Sequence, residues 1–254
     1  MSLVLLLAAC ALDAQQRPAA AGDLAAIVHR MEAAERANRE RYRPYTMTRE
    51  YRLYGSSEAE APKSEVIADV SFVPPNEKSF KIEWARGNSR GTSVVHNVLR
   101  NEVQAAREDA PTSIDSRSYE FALLGEGSLQ GHPCFVLQLR AKREDRRLVN
   151  GIAWVDKQTY LAHRIEGDMA KNPSWWLKRV QVTVDFSGVS GMWLQTGTRA
   201  VGDVRILGTH IFVGRALRVR TGSLVAVWPR PAAPPARAPR RAASPTVFGG
   251  AALK

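Results

Sequence analysis

The chain has 254 residues with 44% hydrophobic side chains, enough for one large packed domain or two small ones. Its formal net charge of +11 suggests a nucleic-acid binder until the charge is located. Eight basic residues and no acid lie between Gly214 and Lys254, so residues 1–213 carry only +3 and a nucleic-acid partner is excluded. The two cysteines, Cys10 and Cys134, give no disulfide framework.

Leu3 to Ala11 is a short apolar run followed by small residues, the pattern of an export signal and too short to cross a bilayer. Residues 1–15 are therefore assigned as a signal peptide. Leu7-Ala8-Ala9-Cys10 also fits a lipoprotein cleavage box, in which case Cys10 carries lipid and anchors the chain to the outer membrane. Without that lipid, membrane contact is transient. From Asp23, which is placed to cap a helix, Leu24, Ile27, Val28, Met31 and Ala34 recur at helical spacing. The helix runs to Tyr42, and Arg43-Pro44 ends it.

From Tyr45 the apolar period falls to two. Phe80, Ile82 and Trp84 alternate with Lys81 and Glu83, and Val180, Val182, Val184 and Phe186 alternate with polar residues, as half-buried strands do. Weaker alternation marks Val66–Phe72, Tyr119–Leu123, Phe135–Leu139, Ile152–Trp154, Leu161–Ile165 and Ile211–Val213. Pro74-Pro75, Gly125–Gly131, Asn150-Gly151 and Gly188–Gly191 read as the turns between them. A second helix is predicted over Ser93–Glu108, with Val94, Val95, Val98, Leu99 and Val103 on one side. Short strands joined by tight turns imply an antiparallel meander, because parallel neighbours need helical crossovers.

After Val219 the chain turns to Pro, Ala and Arg, and residues 219–254 are assigned as a disordered basic tail. The same bias is that of a GC-rich gene read in a shifted frame, which places a divergence soon after Val213.

No catalytic motif passes its spacing test: His-Glu-x-x-His, Gly-x-Ser-x-Gly, Gly-x-x-x-x-Gly-Lys and Cys-x-x-Cys are absent. The histidines (His29, His96, His132, His163, His210) have no two at ligand spacing, so a metal site requires long-range convergence and they read as surface or packed residues. Glu144-Asp145 lies among Lys142, Arg143, Arg146 and Arg147 as a solvated turn. The expectation is a non-enzyme without cofactor, metal or catalytic residue. The aromatic and aliphatic strand positions stand out instead: Phe72, Phe80, Ile82, Trp84, Phe121, Leu123, Phe135, Leu137, Leu139, Trp154, Val182 and Val184 are assigned to an apolar cavity. Trp175-Trp176 after Asn172-Pro173 cannot both point inward, which puts one at a rim or lid.

One ordered series is more specific. It comprises Tyr119-Glu120-Phe121 with Leu123-Leu124-Gly125, Gly131-His132-Pro133-Cys134-Phe135-Val136-Leu137, Trp154-Val155-Asp156-Lys157 with Tyr160, Arg164-Ile165-Glu166-Gly167, and Gly191-Met192-Trp193-Leu194. This series resembles the outer-membrane lipoprotein-sorting (LolA-like) proteins of bacterial envelopes. The resemblance implies, over residues 16–218, a mainly β (α+β) fold: a curved antiparallel half-barrel of about nine to eleven strands with helices on its concave side. It further implies a periplasmic location and an apolar cavity for lipoprotein acyl chains or lipid. The alternative function on the same fold is an envelope sensor or scaffold that binds a protein partner.

Overall fold

The structure is a computed structural model that describes residues 21–108, 113–175, 177–206, 208–222 and 224–228. The signal segment with Cys10, Trp176 and the tail beyond Trp228 lie outside the described residues. The chain order is α1 (Ala21–Glu40), β1 (Tyr45–Tyr54), β2 (Ser64–Val73), β3 (Glu77–Gly87), α2 (Ser89–Arg107), β4 (Tyr119–Leu129), β5 (His132–Ala141), β6 (Val149–Asp156), β7 (Ala162–Met169), β8 (Leu177–Val189), β9 (Met192–Val204), β10 (Gly208–Thr221) and β11 (Leu224–Val227). Both helices fall where the apolar stripes put them. α2 begins earlier than expected because the Asn88 side chain caps it, accepting from the Gly91 N–H at 2.7 Å. Among the described residues no helix is long and apolar enough to cross a membrane.

All eleven strands form one open, curled antiparallel sheet in the order β3-β2-β1-β10-β9-β8-β7-β6-β5-β4, with β11 on β10. This is the mainly β half-barrel architecture expected. β3 and β4 are its two edges, and α2 carries the chain from one to the other. The meander then runs back until β10 pairs with β1 from Tyr54↔Ile211 to Thr46↔Arg220, with one register shift between Thr48 and Arg49. Strand pairing therefore continues past Val213 and past residue 218. β9 leaves β10 at Arg215↔Gly197, and β11 occupies that edge from Arg218↔Val227 onward.

Two expected turns are correct in place and narrower than read. Gln130-Gly131 and Ser190-Gly191 have φ of 53° and 85°, and 50° and 82°, the pair of positive values that a two-residue hairpin turn with the twist of its strands requires. Asn150-Gly151, by contrast, is no turn. Gly151 lies inside β6 opposite Gly167 of β7, and a Cβ on Gly151 would stand 2.0 Å from the Glu166 carbonyl oxygen. Close backbone approach, not chain reversal, is what this glycine serves.

Paired residues share a face. The pairs Ala85↔Val66, Val66↔Tyr51, Tyr51↔Gly214, Gly214↔Thr198, Thr198↔Val184, Val184↔Ile165, Ile165↔Ala153, Ala153↔Leu137 and Leu137↔Leu123 thus trace one face from edge strand to edge strand. Both helices cover it. α1 packs Ile27 and Met31 on Leu137, Leu139, Ala153, Val155, Ile165, Val180 and Val182. α2 packs Val95 and Leu99 on Tyr51, Val66, Ala68 and Val70, and full burial of each such side chain is worth roughly 1.5–3 kcal/mol.

The α2 contact also carries charge. Glu102 receives both N–H bonds of its pair with Arg49 of β1 from Nη1, each at 2.9 Å, and a third from Lys78 of β3. Arg49 is 8% exposed. Burial pushes the Glu102 carboxyl up, but Arg49 and Lys78 outweigh it and hold the group down at about 2. A carboxylate with a depressed folded pKa stabilises the fold above its unfolded pKa and loses that contribution as pH falls towards the folded one. Wild type should therefore lose stability between roughly pH 5 and pH 2. Glu102→Gln, which strands Arg49, should cost about 3 kcal/mol at pH 7 and flatten this part of the pH dependence, as measured by urea unfolding at several pH values. A variant as stable as wild type at pH 7 would contradict the assignment.

Candidate functional site

The structure divides the twelve assigned cavity residues. Leu137, Leu139 and Val182 are core beneath α1, with Phe121, Leu123 and Phe135 half-buried against them. Val184 shares that face and is half-buried. Phe80 and Ile82 belong instead to the cluster under α2, while Phe72 packs at 5.7 Å from Tyr42 and 5.5 Å from Tyr45. These are separate packed clusters, not one cavity. Two residues do not line the face. Trp84 is 45% exposed beneath the Arg86 guanidinium, since a bulge between Ile67 and Ala68 sets it opposite Ile67. Trp154 points to the far face, because Ala153 holds the inward position of β6, and its indole N–H donates to Glu166 at 3.2 Å. Leu124 is exposed because the register shift between Leu123 and Gly125 leaves it unpaired. Trp175, in the β7–β8 connection, is 84% exposed, which answers to the rim position expected for one of the two tryptophans.

α1 is tied to the sheet by a side chain. Asn38, 3% exposed, donates to the Trp193 carbonyl at 3.0 Å and accepts from the Trp193 N–H at 2.7 Å, serving β9 where β10 no longer pairs with it. Its polar side makes further contacts: Glu32 accepts from the Ser116 N–H and hydroxyl, which lower its carboxyl below the usual range. A cleft of about 430 Å³ between α1 and residues 113–117 is lined by Glu32, Glu35, Arg36, Arg39, Asp115 and Arg117. Its lining is charged, unlike the apolar cavity expected. Burial raises the Glu35 carboxyl there, against the pull of Arg39.

The opposite end of β5 holds a group that sequence spacing did not reveal. Cys134↔Asp156 pairing sets Asp156 beside His132, and the β6–β7 turn returns His163 to the same carboxylate. Asp156 Oδ2 lies 3.4 Å from His163 Nε2 and 3.7 Å from His132 Nδ1. Its Oδ1 accepts from the N–H groups of Gln158 (2.9 Å) and Thr159 (2.7 Å) and from the Thr159 hydroxyl (3.0 Å). Burial pushes the Asp156 carboxyl up, and these hydrogen bonds bring it net below its usual value. Burial and the neighbouring His132 hold the His163 imidazole below its ordinary pKa. Trp193 stands edge-on to His163 at 4.8 Å, its indole N–H donating to the Ala162 carbonyl at 2.8 Å. The intervening 23 and 30 residues hide this convergence from any local motif.

A family model described as "Uncharacterized protein" matches residues 102–204. No curated protein matches the chain. The chain is similar to the solved structure of a putative outer membrane lipoprotein-sorting protein domain from Vibrio parahaemolyticus, at 14% identity over 76% of this chain and 91% of that one, with a TM-score of 0.44. A DUF1329 family protein from Desulfovibrio piger is similar at 14% identity, 78% and 93% coverage and a TM-score of 0.42. For a LolA superfamily protein from Nitrosomonas europaea the values are 12%, 79% and 94%, and 0.40.

Removing the amide with Asn38→Ala strands the Trp193 N–H, at a cost of roughly 1–3 kcal/mol, and leaves the Trp193 carbonyl to the Tyr42 hydroxyl at 3.3 Å. Hydrogen exchange should show the Trp193 amide opening at least about tenfold faster, with the strands under α2 unaffected. Unchanged exchange at Trp193 would show that Asn38 does not hold α1.

Proposed function

We propose that the protein is an exported, periplasmic binding protein that holds acyl chains of a lipid or lipoprotein against the sheet face beneath α1. One observation carries this reading: that face is apolar over a larger area than its cover. Strands β4 to β8 present about 700 Å² at ordinary strand spacing and rise, whereas a helix of twenty residues shades about 300 Å². Phe121, Leu123, Phe135 and Val184 are the result, half-buried on the covered face instead of sealed within it. Acyl methylene groups gain about 0.8 kcal/mol each on leaving water, and a swing of α1 widens the surface that receives them. The motif series from Tyr119 to Trp193, and the apolar run at Leu3–Ala11, support the same reading.

Delipidated protein should bind a fluorescent fatty-acid probe, and lipid should co-purify and be seen by mass spectrometry. Leu123→Glu should weaken probe binding roughly tenfold or more while leaving the far-UV circular dichroism unchanged. Protein that takes up no probe and carries no lipid would overturn the proposal. Recovery of one defined envelope protein in place of lipid would replace it with the partner-binding alternative.

A further inference from the structure

The cluster at His132, Asp156 and His163 lies at the turn end of β5, β6 and β7, and plays no part in the acyl-binding surface. Its distances are long for simple hydrogen bonds and close to those between ligands of one shared ion. At 3.4 and 3.7 Å the two imidazole nitrogens are too far from Asp156 Oδ2 to donate well. Two ligand atoms on a tetrahedral Zn²⁺, each bonded at about 2.0–2.1 Å, stand about 3.3–3.4 Å apart. Two edges of the required polyhedron are thus already set to within a few tenths of an ångström. The three candidate ligand atoms lie within 4.8 Å of one another, and the His132 ring, 4.4 Å from that of His163 with its side chain 54% exposed, has room on its solvent side to turn and close the remaining gap.

The surroundings supply what a metal site needs beyond its ligands. Asp156 spends Oδ1 on Gln158 and Thr159, which fixes the carboxylate and turns Oδ2 to the histidines. Trp193 braces the His163 ring from the side. The His163 side chain is 11% exposed and that of Asp156 6%, so both are held in place, while exposed His132 leaves a fourth position open to water. Nitrogen, nitrogen and one carboxylate oxygen suit Zn²⁺ and its first-row neighbours, and offer too few oxygens for Mg²⁺ or Ca²⁺.

We propose that His132, Asp156 and His163 bind one divalent transition-metal ion, with Zn²⁺ the ion that fits best, in a three-ligand site completed by solvent.

Full-length, tag-free protein dialysed against Zn²⁺ should retain one ion per chain, and Co²⁺ should give the visible absorption of a low-coordinate nitrogen and oxygen site. His132→Ala, at an exposed side chain that the fold does not need, should weaken Zn²⁺ binding at least about tenfold with an unchanged apo melting temperature. Asp156→Asn keeps an oxygen for the Gln158 and Thr159 contacts and should also lose the ion. His210→Ala, on β10, should bind as wild type does. Chain that retains no Zn²⁺, or His132→Ala protein that binds Zn²⁺ as wild type does, would overturn the proposal. Neither result bears on acyl-chain uptake, which is read with the lipid probe alone.

Discussion

Glu102 is where this architecture is most exposed to failure. α2 carries the chain from one edge strand of the sheet to the other, and its position on β1 and β3 depends on a single carboxylate set between Arg49 and Lys78. Two cations and one anion leave the group overcompensated, which is why burial fails to raise its pKa. Apolar contact through Val95 and Leu99 supplies adhesion without direction; the charge-assisted bonds from Arg49 and Lys78 to Glu102 fix which turn of the helix lies over which strand. Once α2 is placed, β4 starts at the far edge and the meander can return to β1.

The face beneath the helices is built alike in both halves of the sheet. Under α2, Val66, Ala68 and Val70 are almost completely buried, and Phe80 and Ile82 keep part of their surface. Under α1, Leu137, Leu139 and Val155 are as deeply buried, and Phe121, Leu123 and Phe135 keep part of theirs. The far face carries ion pairs, with Arg164 on Asp185 at 2.7 Å and Trp154 tied to Glu166, and a small apolar cluster of Tyr54, Ile211 and Val213.

The fold was largely legible because its signals are local. Helical spacing at Leu24, Ile27 and Met31, and alternation at Phe80–Trp84 and Val180–Phe186, report one element each, and the structure contains those elements. Strand β9 has no such signal, because Thr196, Gly197, Thr198 and Gly202 interrupt its alternation. Trp154 was misassigned because hydrophobicity does not tell which face a strand turns inward; Ala153, the smaller neighbour, takes that position by pairing with Leu137 and Ile165. Register is a property of neighbouring strands, and so is the meeting of His132, Asp156 and His163. A single sequence carries no statement of either.

The Asn38 contact has a mechanical corollary. A side-chain amide that satisfies both backbone groups of Trp193 acts as a strand one residue long, and it fastens α1 at its C-terminal turn. Towards its other end the helix is held by Leu24, Ile27 and Met31 in the core, and by Arg30 on Tyr160 and Glu32 on Ser116. Leu24, fourteen residues from Asn38, lies about 21 Å from it along α1. A tilt of about 10° lifts it by nearly 4 Å, about the thickness of one hydrocarbon chain. Trp193 is at once the backbone partner of Asn38 and the brace of His163, so one residue joins the helix over one face of the sheet to the imidazole on the other.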